Sequence, residues 1–89
     1  MAKIRIPSVL RPLVAGQPIV EVDATTIADL QRSIGAAYPQ LAVRLFAPDG
    51  SFQEFVNVFV GADDARQLEP GTALGPSVEI LLLPAVSGG

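Results

Sequence analysis

The chain has 89 residues, 49% of them hydrophobic and 17% charged, with a net charge of −3 and a pI near 4.6. That length allows one domain with one core, that composition excludes a disordered chain, and the six dispersed basic residues offer no basic stripe for a nucleic acid. Cysteine and histidine are both absent, which excludes disulfides, thiolate metal sites, common zinc sites and the usual catalytic nucleophile–base pairs.

Lys3-Ile4-Arg5-Ile6 alternates polar and apolar and runs on through Pro7 to Val9-Leu10. It reads as a half-buried strand with Ile4 and Ile6 facing in. Arg11 to Gln17 contains Pro12 and Gly16 and reads as a hairpin loop. Ile19 to Asp23 alternates again and is the expected antiparallel partner, with Val20 and Val22 inward.

Thr26 is the expected N-cap of a helix, with Asp29 near the positive end of its dipole. Ile27, Leu30 and Ile34 recur at helical spacing, and Ala37 and Tyr38 extend that face until Pro39 ends it. Leu41 to Phe46 is ambiguous between a short strand and an irregular apolar segment. Pro48-Asp49-Gly50 is a turn. Phe55 to Val60 is the most strand-like stretch of the chain. Ala62-Asp63-Asp64-Ala65-Arg66 reads as a tight turn leading to a short edge strand, and Leu68 to Pro76 as mostly loop. Val78 to Leu83 is the last strand, apolar on both parities, and so expected to be buried on both faces in mid-sheet. Pro84 stops it, and Ala85-Val86-Ser87-Gly88-Gly89 follows.

This order places one main helix on one face of a mixed four- to five-stranded sheet, an α+β class. With the first and last strands as a central parallel pair, it is the order of the β-grasp (ubiquitin-like) fold. The domain then spans residues 1–84, and residues 85–89 form a flexible Gly-Gly tail. No charged segment followed by an apolar one marks a signal peptide, and no apolar run nears the ~20 residues of a membrane span. The cytoplasm is the expected location, with no membrane or nucleic-acid partner.

With the usual side-chain nucleophiles missing, the chemistry is expected at the terminal carboxylate of Gly89. Glycine has no Cβ, so Gly88 and Gly89 suit a narrow passage into a partner's active site. Ala85, Val86, Ser87 and Gly88 would thread that passage, since five residues extend about 16 Å at ~3.3 Å each. If Val78, Ile80 and Leu82 pack against the helix, Leu81 and Leu83 lie on the open sheet face. The same parity argument puts Val56, Val58 and Val60 inside and Phe55, Asn57 and Phe59 outside. Phe59, Leu81 and Leu83 then form an exposed docking patch at the base of the tail. Asp63 and Asp64 are adjacent turn residues that do not converge on a metal, and Arg66 is a nearby ion-pair or partner contact. Lys3 is the only lysine, which argues against a modifier that builds chains on itself.

The chain resembles the MoaD/ThiS family of bacterial ubiquitin-like sulfur carriers over nearly its whole length. The likeness rests on Ile6-Pro7-Ser8-Val9-Leu10-Arg11-Pro12 with Gly16-Gln17, on Phe55 to Val60, on Asp63-Asp64-Ala65-Arg66, and most specifically on Leu83-Pro84-Ala85-Val86-Ser87-Gly88-Gly89. Within the family it looks most like the carriers of a thiocarboxylate-dependent cysteine pathway, which usually carry alanine where this chain has Ser87 and lack one leucine of the final apolar run.

The resemblance implies a cycle in which this chain holds no cofactor and is not an enzyme. A ubiquitin-activating-like adenylating enzyme of the MoeB/ThiF type uses ATP and Mg to adenylate Gly89. A sulfur donor protein displaces AMP and leaves a thiocarboxylate. In the cysteine route, a PLP-dependent cysteine synthase holds the aminoacrylate acceptor, and a metalloprotease releases the product. A natural product, thiamin or molybdopterin are other destinations for the sulfur. A protein modifier forming isopeptides and a non-covalent docking domain are readings from other classes.

Overall fold

The computed structural model describes residues 1–84. Five strands, β1 (Ala2–Arg5), β2 (Ile19–Val22), β3 (Val56–Val60), β4 (Asp63–Asp64) and β5 (Glu79–Pro84), form one sheet in the order β2-β1-β5-β3-β4. β1 and β5 pair in parallel at the centre, and every other pair is antiparallel. Two helices, α1 (Ile27–Ala37) and α2 (Pro39–Leu45), cover one face. This is the β-grasp arrangement expected from the element order.

The period-two reading of the strands holds on all four longer strands. Ile4, Val20, Val22, Val56, Val58, Val60, Ile80 and Leu82 are buried against the helices, with Ile6 just beyond β1. Ile27, Leu30 and Ile34 meet them from α1. Each fully buried Ile or Leu contributes about 1.5–3 kcal/mol relative to exposure, so this shared face fixes the register of the sheet.

α1 starts where the sequence places it. Thr26 Oγ1 accepts from the Asp29 N–H at 3.2 Å, and Asp29 Oδ2 accepts from Thr25 Oγ1 at 2.9 Å and Thr25 N–H at 3.3 Å. The Ile27 and Ala28 N–H groups, which no helical carbonyl can reach, donate to Thr72 and Pro70 carbonyls. The long loop before β5 therefore closes the helix start, and its Leu74 is buried.

Several expectations are corrected. β1 stops at Arg5 rather than Leu10, because Ser8–Val14 is a 3₁₀ helix that also replaces most of the expected hairpin loop. Its last residue, Val14, plugs the core, and the Gly16 N–H closes the turn on the Arg11 carbonyl at 2.7 Å. Pro39 ends α1, as expected, but it also occupies the first turn of α2, where its missing N–H costs nothing. The ambiguous Leu41–Phe46 stretch is thus mostly helix. Leu41 and Leu45 are buried one turn apart while Val43 between them is 72% exposed, which a strand would not allow. Ala37 is exposed and only Tyr38 extends the α1 face. Asp63–Asp64 is itself the edge strand, reached through a turn at Gly61, whose φ is 63°. Finally, β5 is central but not buried on both faces. Leu81 is half-buried and Leu83 exposed, because no element of the described residues covers the second face.

Candidate functional site

The uncovered face is built by strand register. On one row Arg5 of β1 lies beside Leu81 of β5, Leu81 beside Phe59 of β3, and Phe59 beside Asp64 of β4. The next row toward the end of β5 pairs Leu83 with Asn57. Phe59 and Leu81 are half-buried and Leu83 is 43% exposed. The expected patch of Phe59, Leu81 and Leu83 therefore exists as one contiguous apolar surface along β5. The remaining face is charged. Lys3 lies between Glu21 and Glu79, and Arg5 Nε meets Glu79 Oε1 at 3.0 Å. Both partners of that pair are about half exposed, so it orients side chains more than it stabilises.

Pro84 pairs with Val56 at the far end of the ladder and has no N–H to extend it. The apolar row thus leads straight to the point where residue 85 begins. Gly89, the expected reactive residue, and Ala85, Val86, Ser87 and Gly88, the expected threading residues, lie outside the described residues.

Arg66 is beside the patch but engaged differently from the expectation. No ion pair to it is found among the described residues. Its guanidinium donates to the Gln53 carbonyl, to the Val56 carbonyl at 2.9 Å and to Asn57 Oδ1 at 3.5 Å. Its own N–H donates to Asp64 Oδ1 at 2.9 Å. It sits along the edge of β3 where the two-residue β4 is too short to continue. Asp63 and Asp64 are successive residues of that edge strand, and no group of three acidic side chains converges among the described residues.

Among the described residues, two carboxylates have perturbed acidity. Asp29 is lowered from 3.8 to about 2, first by its hydrogen bond from Arg32 and then by those from Thr25. Asp49 is also lowered, by the Ser51 hydroxyl and N–H in the turn after α2. Both serve local structure at a helix start and a turn, away from the patch.

Sequence reasoning missed a second apolar group. Val9, Leu10, Arg44, Phe55, Val56 and Pro84 line a shallow depression at the end of β5. The parity of β3 places Phe55 outside. Nothing in the period-two pattern brings Val9 or Arg44 there, because both lie in helical turns that read as strand or irregular chain.

A sequence model described as the ThiS family matches residues 4–89. The chain belongs to the ThiS family. It is 33% identical to the sulfur carrier protein CysO of Mycobacterium tuberculosis, across 97% of this chain and 96% of that one. The crystal structure of that CysO superposes with a TM-score of 0.83 at 30% identity, covering 97% of this chain and all of that chain. Small archaeal modifier protein 1 of Haloferax volcanii is 37% identical across 85% of this chain and 87% of its own length. A chain of the Amycolatopsis orientalis BexX/CysO complex shares the fold at a TM-score of 0.84 and 24% identity, with both chains fully covered. This ThiS-family chain is a ubiquitin-like protein of the sulfur-carrier and small-modifier type, and the relatives named are carriers and modifiers rather than catalysts. No helix among its described residues is long and apolar enough to cross a membrane.

Proposed function

We propose that the chain carries sulfur as a thiocarboxylate on Gly89 and delivers it to biosynthesis, with cysteine as the product. The observation that supports this most is the extent of the family match, which runs through Gly89, together with the likeness to CysO across 97% of the chain.

The carboxylate is a poor acyl group until a better leaving group replaces its oxygen. A MoeB/ThiF-type partner with ATP and Mg forms the acyl-adenylate and releases pyrophosphate. Sulfide, or the persulfide of a donor protein, attacks the Gly89 carbonyl carbon, and AMP leaves. Where a persulfide attacks, a second thiol of the partner cleaves the acyl disulfide, leaving the thiocarboxylate. A PLP-dependent cysteine synthase takes the sulfur, and a metalloprotease frees the cysteine and restores the glycine end. The carrier contributes position. Its Phe59, Leu81 and Leu83 face, flanked by Arg5 and by Arg66, seats the partners while the five tail residues enter the active site. Such a chain works in the cytoplasm, beside its nucleotide-using partner.

The test is intact mass spectrometry after incubation with an adenylating enzyme of this type, Mg-ATP and sulfide. Exchange of one oxygen for sulfur, lost when Gly89 is deleted, is the expected result. The 37% identity to a small archaeal modifier favours one second reading, isopeptide attachment to target lysines. Adducts on target lysines without sulfur exchange would select it.

A further inference from the structure

We infer that the open sheet face pairs with the same face of a second copy of this chain, about a two-fold axis that runs along the strands between β5 and β3. The strand register supplies the reason. One row crosses the face as Arg5, Leu81, Phe59 and Asp64, on β1, β5, β3 and β4. Paired residues of neighbouring strands share a face, so the row is basic at one end, apolar in the middle and acidic at the other. Both ends keep capacity for a further partner among the described residues. Arg5 engages Glu79 through Nε alone, and Asp64 accepts the Arg66 N–H on Oδ1 and has no ion-pair partner there.

A two-fold axis along the strands reverses such a row. Arg5 of each copy then faces Asp64 of the other, and Leu81 faces Phe59, so the surface is complementary to itself. The next row obeys the same operation. Leu83 pairs with Asn57 within the chain and falls opposite Asn57 of the second copy. On the other side, the Gly61 N–H donates to the Glu79 carbonyl, so Glu79 falls opposite a residue with no side chain and meets no like charge. Other placements fail. An axis along the row sets Arg5 on Arg5 and Asp64 on Asp64. An axis through β5 sets Arg5 on Phe59 and Asp64 on Ile19, which neighbours Arg5 on β2, and so puts a charge against an apolar side chain at both ends.

The size of the face sets the strength. From β1 to β4 is three strand spacings, about 14 Å, and β3 is about 17 Å long. A face of that size buries well under the ~800 Å² per partner of a standard interface, so the pairing is weak and reversible. The usual separation of packed sheets, about 10 Å, is within reach of the long Arg5 side chain. Pairing covers Phe59, Leu81 and Leu83, the side chains proposed to seat the partners. If that docking reading holds, a partner with a larger interface displaces the second copy, and self-pairing keeps the apolar row out of water while the chain is concentrated and unengaged.

The pairing stands on the exposed face and not on the sulfur chemistry, so its test is separate. Amide ¹H–¹⁵N spectra of the full chain are compared between about 0.02 and 2 mM, a range that spans a weak dissociation constant. Shifts should move with concentration around Arg5, Leu81, Phe59 and Asp64, and less at high salt. Arg5→Glu and Asp64→Lys each bring like charges together at both contacts of the two-fold, and each should weaken pairing at least about tenfold. Mixed in equal amounts, the two variants join opposite charges at both contacts, so the mixture should pair again. Asp64→Asn keeps an acceptor for the Arg66 N–H and removes the charge. It should weaken pairing at an unchanged urea midpoint, which keeps the test decisive if Asp64→Lys does not fold. Shifts independent of concentration, shifts confined to the helices or to β2, or undiminished pairing of Asp64→Asn would overturn the inference. Folded single variants that do not recover on mixing would overturn the two-fold. Sulfur exchange at Gly89, read by mass on dilute protein, is unaffected by any of these results.

Discussion

Ala15 holds the left-handed region at φ 57°, directly before Gly16 at φ 80°. An L-residue there costs about 1–2 kcal/mol from the clash of Cβ with the following carbonyl, whereas glycine adds about 0.4–1 kcal/mol of unfolded-chain entropy. Ala15 is exposed, so no packing offsets the difference. Ala15→Gly should therefore stabilise the chain by about 0.5–1 kcal/mol, seen as a higher urea midpoint at unchanged slope; a lower midpoint contradicts the strain. Asp29 makes the acid limb testable. Its folded pKa is depressed to about 2 by Arg32 and Thr25. A depressed carboxylate contributes stability that is present above its unfolded pKa and lost as pH falls through its folded pKa. The loss falls between about pH 4 and pH 2. Asp29→Asn should flatten the stability profile in that window relative to wild type, measured by chemical denaturation at stepped pH. A variant with the same acid limb would place the sensitivity elsewhere.

At the scale of elements, the edge of β3 is finished by a side chain instead of a strand. β4 covers only Phe59 and Val60. Arg66 supplies donors to the Val56 carbonyl and to Gln53, which a longer β4 would otherwise provide. Hydrogen bonds from a charged donor contribute more than neutral ones, so Arg66→Ala should destabilise by about 1–2 kcal/mol in urea unfolding. Lysine, a point donor without the planar fork, should recover only part of that. Full recovery by lysine would mean that charge alone matters. The sequence reveals Arg66 as a chain neighbour of Asp64 but not this role, because its partners are backbone carbonyls brought near by folding. The same limit explains the other misses. Strand parity is local, so Val56, Val58, Ile80 and Leu82 are legible as core and Phe59, Leu81 and Leu83 as the open face. The helix start at Thr26 is legible for the same reason. α2 was readable in principle from Pro39 at a first-turn position and Leu41 and Leu45 four apart. A strand, though, would put Leu41 and Leu45 on one face too, and only the exposure of Val43 separates the two. The 3₁₀ helix at Ser8–Val14 is set by tertiary contact, since Val14 must reach the core, and alternation cannot show it.

For the whole molecule, the question is how the labour divides between body and tail. β5 runs through the centre of the sheet, presents Leu81 and Leu83 on the open face, and ends at Pro84. The surface proposed to bind and the residues proposed to react are thus consecutive in sequence but separable by mutation. Deleting Gly89 removes the carbonyl carbon proposed to be adenylated and leaves the face intact. That variant should fail to exchange sulfur yet inhibit activation of the intact chain, competitively and with an inhibition constant within about threefold of the intact chain's KM, since that factor is roughly 0.65 kcal/mol of binding. Adding Leu83→Asp puts a carboxylate into the apolar patch at an exposed position, so the fold survives while a desolvated charge opposes docking. The double variant should inhibit at least about tenfold more weakly, a difference of roughly 1.4 kcal/mol. Steady-state activation assays with each variant as competitor, and circular dichroism to check folding, distinguish the possibilities. If the Gly89-deleted chain fails to inhibit, recognition resides in the tail alone. If both variants inhibit equally, the partner docks on another face. Competition that depends on Leu83 but not on Gly89 would assign recognition to the sheet and leave to the tail only the atoms that react.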